Sequence, residues 1–457
     1  MRPLLVLDVV GLTPALLAQM PRLRALGETG FCAPLGTVLP AVTCTAQSTM
    51  LTGKMPREHG IVANGWYFRD LAEVWLWRQS NHLVQGKKVW HAARERFGSE
   101  LTVAQMFWWY NMYADVDWSA TPRPVYPADG RKIPSVYTDP PALKDQLQSE
   151  LGRFPLFNFW GPTADLKSSD WIARATRRVM EAHKPALTFC YLPHLDYDLQ
   201  RFGPDGPEAR KAAAEIDQVA GDLCDFARGA GYAVIALSEY GITPACSGVH
   251  INRALREAGL LRVQQVDLGW ELLDAGACEA FAVADHQIAH VYVRRPERLA
   301  QVKALLEKLD GVDRVLDEAG KREFGLDHAR SGELVAIAAP DRWFTYYYWL
   351  DDARMPDFAR SVDIHRKPGY DPVELFLDPT IPLPKLKIGL TLLKKMLGQR
   401  YYMNVIGFDT TLVRGSHGRL PARDEDGPVL LSTEKIGAAD RLPMTAVHDL
   451  ILNTLAR

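Results

Sequence analysis

The sequence contains little cysteine, and its cysteines show no paired spacing. No Cys-x-x-Cys motif occurs among Cys32, Cys44, Cys190, Cys224, Cys246 and Cys278. This pattern is typical of small buried hydrophobic residues and gives no indication of a disulfide framework. The N-terminus starts like a signal peptide, but Asp8 interrupts the apolar run and no small-residue cleavage site follows. We therefore expect a reduced, cytoplasmic protein.

Strong charge and long apolar stretches are also lacking. The 53 basic and 55 acidic residues give a formal net charge of −2, so we expect no nucleic-acid polymer as a partner. No stretch approaches the length of a transmembrane helix. At 457 residues, of which 47% are hydrophobic, the chain predicts one large domain with insertions, or two domains. Nothing in the sequence indicates an oligomeric state.

Three short apolar runs predict a buried parallel sheet. They lie at residues 4–10, 186–192 and 232–237, and the helical spacing at 206–229 stands between the last two. Strand, helix and strand in this order form a βαβ unit. We therefore predict an α/β fold with a doubly wound, mostly parallel sheet and helices on both faces.

An acidic residue stands at or shortly after the end of each run: Asp8, Asp196 and Glu239. The carboxyl ends of parallel strands meet at one edge of a sheet, where ligands bind. Three carboxylates at one edge repel each other unless a cation compensates, which is a first indication of metal. The alternative is three loop carboxylates that face water.

Two segments interrupt this pattern. Residues 66–160 are rich in aromatic side chains and proline turns. Residues 285–355 contain a predicted strand, a charged helix around 296–309 and a second strand, and we interpret them as a small inserted α+β cap. The core would then comprise residues 1–284 and 356–457.

Residues 382–400 predict a basic amphipathic helix, in which lysines alternate with leucines. We expect this helix to pack on its own domain, and membrane-surface binding is the less favoured alternative.

Hydroxyl side chains cluster where residues 40–53 predict a turn that enters a helix. A helix N-terminus favours an anion, and a threonine such as Thr43 at that position can be both metal ligand and nucleophile. The alternative is simple N-capping, for which Ser and Thr are well suited.

The spacing around Thr43 carries a resemblance to a known family. Thr52-Gly53, His59-Gly60-Ile61 and Asn64 follow Thr43. The segment resembles the nucleophile region of the type I phosphodiesterase/nucleotide pyrophosphatase family, within the alkaline phosphatase superfamily. The resemblance implies an alkaline phosphatase-like fold, Thr43 as the nucleophile and Asn64 as a residue that assists the phosphate.

The resemblance also implies two metal ions, held by three Asp and three His, with the nucleophile reaching towards one of them. In this chain Gln200 stands where a histidine is expected, and Glu239-Tyr240 stands where Asp-His is expected. The implied metal set is Asp8, Thr43, Asp196, Gln200, Glu239, Tyr240 and His417.

A set rich in oxygen favours Mn, Mg, Ca or Fe, although carboxylates also bind Zn. We expect one or two divalent ions. Either the site is a working variant, or it has decayed and only binds a phosphorylated ligand. We favour the working variant, because no replacement is apolar.

Other histidines could add ligands, although a histidine is more often a structural residue. The candidates are His194, His286, His290, and the pair Asp363 and His365. We favour Asp363 and His365, because their segment leads back towards His417.

The substrate side of the prediction rests on two groups of residues. The aromatic segment after Asn64 is expected to form a pocket wall for a planar group, or else an ordinary core. Basic residues that could meet further phosphates are Arg123, Arg131, Lys132, Arg366 and Lys367.

The predicted activity is metal-dependent hydrolysis of a phosphodiester or pyrophosphate bond in a small molecule, through a covalent phosphothreonine. One alternative is a phosphomonoesterase or phosphotransferase on the same scaffold. The other is a protein that binds a phosphorylated ligand without catalysis.

Overall fold

A computed structural model describes residues 1–128, 131–437 and 439–457. Within these ranges the β-strands are β1 Leu4–Val9, β2 Phe31–Gly36, β3 Gly65–Phe68, β4 Glu73–Leu76, β5 Val103–Met106, β6 Trp118–Pro122, β7 Val136–Asp139, β8 Leu187–Leu192, β9 Ala233–Leu237, β10 Thr243–Pro244, β11 Ser247–Val249, β12 Val263–Gln265, β13 Glu271–Leu273, β14 Ala280–Asp285, β15 Ile288–Val293, β16 Val312–Leu316, β17 Leu334–Ala338, β18 Arg342–Phe344, β19 Gly415–Ser416, β20 Val429–Ser432 and β21 Leu442–Pro443.

The α-helices of the same ranges are α1 Pro14–Leu17, α2 Pro21–Thr29, α3 Thr43–Thr52, α4 Pro56–His59, α5 Val89–Phe97, α6 Ala142–Leu151, α7 Leu166–His183, α8 His194–Phe202, α9 Pro207–Gly229, α10 Ile251–Glu257, α11 Leu299–Glu307, α12 Glu318–Glu323, α13 Pro384–Met396 and α14 Ala446–Leu455.

The main sheet is mixed and mostly parallel. Its strand order across the described residues is β21-β2-β20-β9-β1-β8-β5-β6-β7. Strands β9, β1, β8, β5 and β6 run parallel, while β20 and β7 pair antiparallel with their neighbours. The prediction of an α/β fold with a mostly parallel sheet is therefore confirmed.

Helices cover both faces of this sheet, as the alternation of side chains along β1 shows. Leu5 and Leu7 belong to an apolar cluster with residues of α7 and α9. Leu4 and Val6 belong to another cluster, with residues of α3, α5 and α14. Successive side chains of a strand point to opposite faces, so a strand buried on both faces is apolar throughout.

A second sheet, antiparallel, has the strand order β14-β15-β17-β16. Its strands β15 and β17 and its helix α11 confirm the two strands and the helix that we predicted in this part of the chain. Strand β14 starts at Ala280, before the predicted cap boundary at residue 285. The division into core and cap stays a prediction.

The aromatic-rich segment 66–160 is partly integrated into the main sheet, to which it supplies β5, β6 and β7. Trp90, Phe107 and Trp108 from this segment are buried. An ordinary aromatic core, one of the two alternatives, therefore describes these three residues.

The predicted basic amphipathic helix is present as α13. Ile388 packs against an apolar cluster that contains Trp343 and Val405. None of the residues of α13, all of which the structure describes, is buried, and Leu386, Leu390 and Leu393 are exposed. The helix thus packs on its own domain on one side only. Across the described ranges, no helix is both long and apolar enough to cross a bilayer.

Candidate active site

The three predicted acidic residues converge at the carboxyl edge of the main sheet. Asp8 lies near the end of β1, Glu239 follows β9, and Asp196 lies in the first turn of α8, directly after β8. All three side chains are buried. The alternative of loop carboxylates that face water is therefore wrong.

Thr43 is the first residue of α3, and its hydroxyl does not cap the helix. The N-cap residue is Val42, which makes no side-chain capping bond. Instead, Thr43 Oγ1 lies 3.2 Å from Tyr240 Oη. Tyr240 donates its own proton to Asp196 Oδ1 at 3.2 Å, so it can only accept from Thr43. The sheet edge therefore holds a Thr43–Tyr240–Asp196 chain of hydrogen bonds.

Gln47 also belongs to the site, although it is not among the residues predicted from the sequence. Its Nε2 donates to Asp8 Oδ2 at 3.2 Å and to Glu239 Oε1 at 2.6 Å. Its Oε1 accepts from the backbone N–H of Trp109 at 2.7 Å. Gln47 stands four residues after Thr43, and this helical spacing puts both side chains on one face of α3. That spacing was the available signal.

Burial governs the protonation of these carboxyl groups. It raises the pKa of Asp8 to about 7, although hydrogen bonds with Glu239 and Gln47 counteract it. The pKa of Glu239 lies well above its usual value because of burial and the neighbouring Asp8 charge. Burial also raises the pKa of Asp196 to about 7, against hydrogen bonds from Gln200 and Tyr240.

Asp8 and Glu239 fit a single cation. Asp8 Oδ1 and Glu239 Oε2 are buried and have no hydrogen-bond partner among the described residues. Buried carboxylate oxygens without a partner are costly, and a divalent cation would compensate them. With the Thr43 hydroxyl they form a donor set made only of oxygen, which suits Mg or Mn.

The other half of the implied metal set is closed by internal hydrogen bonds. Gln200 Nε2 donates to Asp196 Oδ2 at 2.7 Å, and Tyr370 donates to Gln200 Oε1 at 2.9 Å. Gln200 thus presents its nitrogen to the carboxylate, whereas a metal requires its oxygen. Tyr240 donates to the second oxygen of Asp196. These residues do not fit a second cation. Nowhere in the described ranges do three His, Cys, Asp or Glu side chains gather as metal ligands.

His417 reaches the site because β19 pairs with β10, just after Tyr240. The ring of His417 stacks on that of Tyr240, with centroids 3.6 Å apart. Its Nδ1 donates to Ala41 O at 2.8 Å, while Nε2 lies 3.8 Å from Asp196 Oδ1. The neighbouring Gly418 O accepts from Ala41 N at 2.8 Å, so the segment that contains His417 is bonded to the turn that leads into α3.

Asn64 is held by two groups. Its Oδ1 accepts from the backbone N–H of Cys44 at 2.9 Å, and its Nδ2 donates to Asp285 Oδ1 at 3.1 Å. Asp285 also accepts from His286 Nδ1 at 2.8 Å. We did not predict this role of Asp285, since nothing local distinguishes it from a loop acid. Asn64 therefore ties α3 to the end of β14.

His286, named as a further candidate, does lie in the site. Its ring lies between those of Tyr370 and His417, stacked on the first at 3.6 Å and tilted against the second at 3.7 Å between centroids. Its backbone φ is +58°, in the left-handed region that favours glycine. Non-glycine residues with such backbone strain are found most often at functional sites.

The structure does not bring Asp363 and His365 to this cluster. Ile364, between them, is the residue of this segment that lines the cavity at Thr43, while His365 lines a neighbouring cavity. Burial and the nearby charge of Lys132 lower the pKa of His365 to about 4. The two residues were favoured on chain direction alone, which does not specify where side chains point.

The other candidate histidines are structural. His194 bonds Glu215 at 3.0 Å, and His290 bonds Val62 O at 2.9 Å. The basic residue Lys367 is also occupied: it is buried and contacts Asp371 at 2.8 Å and Glu374 at 2.7 Å. The expectation that Lys367 meets a substrate phosphate is therefore wrong.

Aromatic side chains wall the cavity of about 60 Å³ onto which Thr43 opens. Trp77 and Trp109 come from the aromatic-rich segment, and their ring centroids are 4.9 Å apart. Trp160 and Tyr370 line the same cavity. The expectation that this segment supplies one wall of the pocket is confirmed for Trp77 and Trp109.

Comparison with known proteins supports the same scaffold. The model of the type I phosphodiesterase/nucleotide pyrophosphatase family matches residues 4–371. The chain belongs to this family. It is a phosphoester hydrolase of the alkaline phosphatase superfamily, whose members typically use metal ions and small phosphoester substrates. No curated protein matches the chain.

Solved structures with a similar fold align over nearly the full chain. Phosphonoacetate hydrolase from Sinorhizobium meliloti 1021, in complex with phosphonoformate, is 15% identical with a TM-score of 0.63, covering 99% of this chain and 96% of that one. An inactive murine ectonucleotide pyrophosphatase/phosphodiesterase 5 in complex with AMP is 14% identical with a TM-score of 0.58, covering 100% and 95%. The human counterpart is 12% identical with a TM-score of 0.60, at the same coverage. At these identities the likeness concerns the fold.

Proposed function

We propose that this hydrolase cleaves a phosphodiester or pyrophosphate bond by attack of Thr43 Oγ1 on phosphorus. The observation that carries the proposal is the hydroxyl of Thr43. It lies at the N-terminus of α3, makes no capping bond and opens onto the aromatic cavity. A helix N-terminus favours the anionic phosphoryl group that would be attacked.

Asp8, Glu239 and Thr43 would hold one divalent cation, which supplies positive charge that lowers the pKa of the Thr43 hydroxyl and neutralises the two carboxylates. Gln47 keeps these carboxylates in place, since its amide nitrogen donates to both. Asp196 and Tyr240 would not bind this cation and would instead accept the proton of Thr43.

Asp196 would take the proton of Thr43 through Tyr240. The hydrogen bonds run from Thr43 to Tyr240 and from Tyr240 to Asp196, each 3.2 Å long. An acceptor with a pKa of about 7 is well matched to proton transfer at neutral pH. As the Oγ1–P bond forms, the bond from phosphorus to the leaving oxygen breaks. Water then attacks the phosphothreonine and restores the Thr43 hydroxyl.

Substitution of Thr43 tests this proposal. We expect Thr43→Ala to lower kcat/KM for bis(4-nitrophenyl) phosphate by roughly a thousandfold or more, and Thr43→Ser to retain part of the activity. Thr45→Val is the matched control, because Thr45 lies in the same helix and its buried hydroxyl has no partner among the described residues. Its activity should equal that of wild type.

Two further measurements separate the alternatives. A higher kcat/KM for 4-nitrophenyl phosphate than for the diester would reassign the chain as a phosphomonoesterase. Absence of turnover with either ester, under Mg, Mn, Ca, Fe and Zn in turn, would indicate a non-catalytic binding protein. Activity in Thr43→Ala equal to that of wild type would contradict the role of Thr43.

A further inference from the structure

The outer side of helix α13 carries a row of exposed leucines. Leu386, Leu390 and Leu393 lie in the helix and Leu397 is its C-cap residue. They follow one another at intervals of four, three and four residues, which puts them on one side of the helix. Their exposed fractions are 57%, 54%, 49% and 66%. Single exposed leucines are ordinary on a protein surface, whereas a continuous apolar row indicates a binding surface. We call these four residues the leucine stripe.

The opposite side of α13 is held on the domain. Ile388 packs into an apolar cluster, and Lys387 Nζ donates to Asn404 O at 2.8 Å. Lys395 Nζ lies 5.5 Å from the ring centroid of Tyr401. The helix is therefore formed and oriented before any partner binds, so a partner need not supply the free energy of ordering it. The predicted packing of the helix on its own domain describes this inner side and leaves the leucine stripe in contact with water.

Positive charge borders the leucine stripe. Lys385 and Lys394 are exposed, and their helical positions lie on its two sides. Between Asp378 and Asp409 the sequence contains five basic residues and no acidic one. Lysine side chains can extend their apolar stems along a membrane interface while the ammonium group stays at the level of the lipid headgroups. Exposed leucines between two rows of lysine are typical of helices that lie in the interface of an anionic membrane.

We propose that α13 docks the protein onto the surface of an anionic lipid bilayer. The leucine stripe enters the boundary between headgroups and acyl chains, while Lys385 and Lys394 meet the lipid phosphates. The helix follows residues 4–371, the part of the chain that the family model matches. The inference goes beyond the proposed function and requires no particular substrate at Thr43.

A second copy of the chain fits the leucine stripe less well than a bilayer does. A two-fold contact would place stripe against stripe, because such contacts use the same patch on both chains. Since lysine borders the stripe on both sides, the lysines of one chain would then face those of the other. Like charges oppose this contact, whereas lipid phosphates attract the same lysines. The charges therefore favour a lipid surface as the occupant.

Sedimentation of the purified protein with sucrose-loaded vesicles tests the proposal. One set of vesicles contains phosphatidylglycerol and phosphatidylcholine in equal amounts, and the other contains phosphatidylcholine alone. We expect the protein to bind the anionic vesicles at least roughly tenfold more tightly, and this binding to weaken as the NaCl concentration rises. Equal affinities for the two kinds of vesicle, or no binding to either, would overturn the inference.

Two leucine-to-aspartate substitutions provide a matched pair with the same net charge. Leu390→Asp interrupts the leucine stripe, and we expect it to lower the affinity for anionic vesicles by roughly tenfold or more. Leu268→Asp makes the same change at a leucine that is 71% exposed between β12 and β13, so its affinity should equal that of wild type. Circular dichroism and the melting temperature check that both variants fold. Equal losses would show that only net charge holds the protein on the vesicles, against the inference.

The flanking lysines are tested separately. We expect Lys385→Gln and Lys394→Gln each to lower the affinity for anionic vesicles by about fivefold, and the double variant to show a weaker dependence on salt. An affinity of the double variant equal to that of wild type would contradict the role of these lysines.

Analytical ultracentrifugation detects the competing occupant. A wild-type dimer that Leu390→Asp converts to a monomer, together with no binding to vesicles, would assign the leucine stripe to a second copy of the chain and overturn the inference. Vesicle binding is measured without turnover, so Thr43→Ala should bind vesicles as wild type does. The failure of the proposed function and the failure of this inference are therefore distinguishable.

Discussion

The side-chain amide of Gln47 donates a hydrogen bond of 2.6 Å to Glu239 Oε1. Through this bond the helix that begins with Thr43 also controls the carboxylate at the end of β9. The same nitrogen reaches Asp8 at 3.2 Å, so an uncharged group bridges two buried acids. Gln47 thereby stabilises the site when no cation balances these acids.

Removal of that bridge should make the fold depend on a divalent ion. We expect Gln47→Met to lower the free energy of unfolding in EDTA by about 1–3 kcal/mol, because two buried carboxyl groups lose their shared donor. Addition of Mn²⁺ should raise the melting temperature of the variant more than that of wild type. Differential scanning fluorimetry measures both effects, with Thr45→Val as the control. Equal shifts in the two proteins would argue against a cation at Asp8.

The raised pKa of Asp8 predicts a pH-dependent effect of Asp8→Asn. Between pH 4 and pH 7 the folded protein keeps the Asp8 proton, whereas the unfolded chain, with a pKa near 3.8, has lost it. The folded state binds more protons in this window, so the contribution of Asp8 to stability falls as pH rises. In EDTA, the melting temperature of Asp8→Asn relative to wild type should therefore increase from pH 4 to pH 7 and then level off.

The same pair of proteins tests the cation directly. At pH 8, Mg²⁺ or Mn²⁺ should raise the melting temperature of wild type and have little effect on Asp8→Asn, which lacks one of the two carboxylates. In the measurements in EDTA, a difference in melting temperature between wild type and Asp8→Asn that is the same at every pH would show that Asp8 does not titrate in this range.

Restoring a histidine at position 200 should open the second half of the site. In Gln200→His the amide that occupies Asp196 is replaced by an imidazole, a common metal ligand, next to His417. We expect the bound divalent-metal content after dialysis against manganese and zinc salts to increase from about one to about two ions per chain, measured by inductively coupled plasma mass spectrometry. An unchanged metal content would show that the second ion also requires the aspartate and histidine that the family has at the positions of Glu239 and Tyr240.

The buried cation Lys367 is expected to be a stabilising residue. Its ammonium contacts Asp371 and Glu374, and all three side chains are almost fully buried. Lys367→Met would leave two uncompensated carboxylates, so we expect a loss of about 3–5 kcal/mol in urea unfolding. The control is Arg366→Met, because Arg366 pairs with Asp357 at the surface, where such pairs contribute about 1 kcal/mol or less. Similar losses in both variants would contradict the distinction.

Sequence patterns were sufficient for the features that are local in the chain. The runs at residues 4–10, 186–192 and 232–237 are apolar throughout because β1, β8 and β9 are covered on both faces. This also placed Asp8 and Glu239 at one sheet edge, since parallel strands end on the same side. The turn into α3 was recognisable from its hydroxyl residues and from the family spacing up to Asn64.

Other features depend on which parts of the chain pack together. The sequence allowed Gln200 to offer its carbonyl oxygen to a metal. In the structure Tyr370, which is distant in the chain, donates a hydrogen bond to that oxygen, so the amide nitrogen of Gln200 faces Asp196. Asp285 was one acid among many until β14 brought it to Asn64. Likewise, the course of the chain towards His417 did not determine where the side chains of Asp363 and His365 point.

By itself, the sequence determined the sheet, its acidic edge and the position of Thr43 at a helix start, because strand alternation and helix periodicity are properties of neighbouring residues. The tertiary structure decided which groups bond to one another, from Gln47 between two acids to Asp285 beside Asn64. These contacts join segments separated by up to several hundred residues, and their geometry follows from packing rather than from any local pattern.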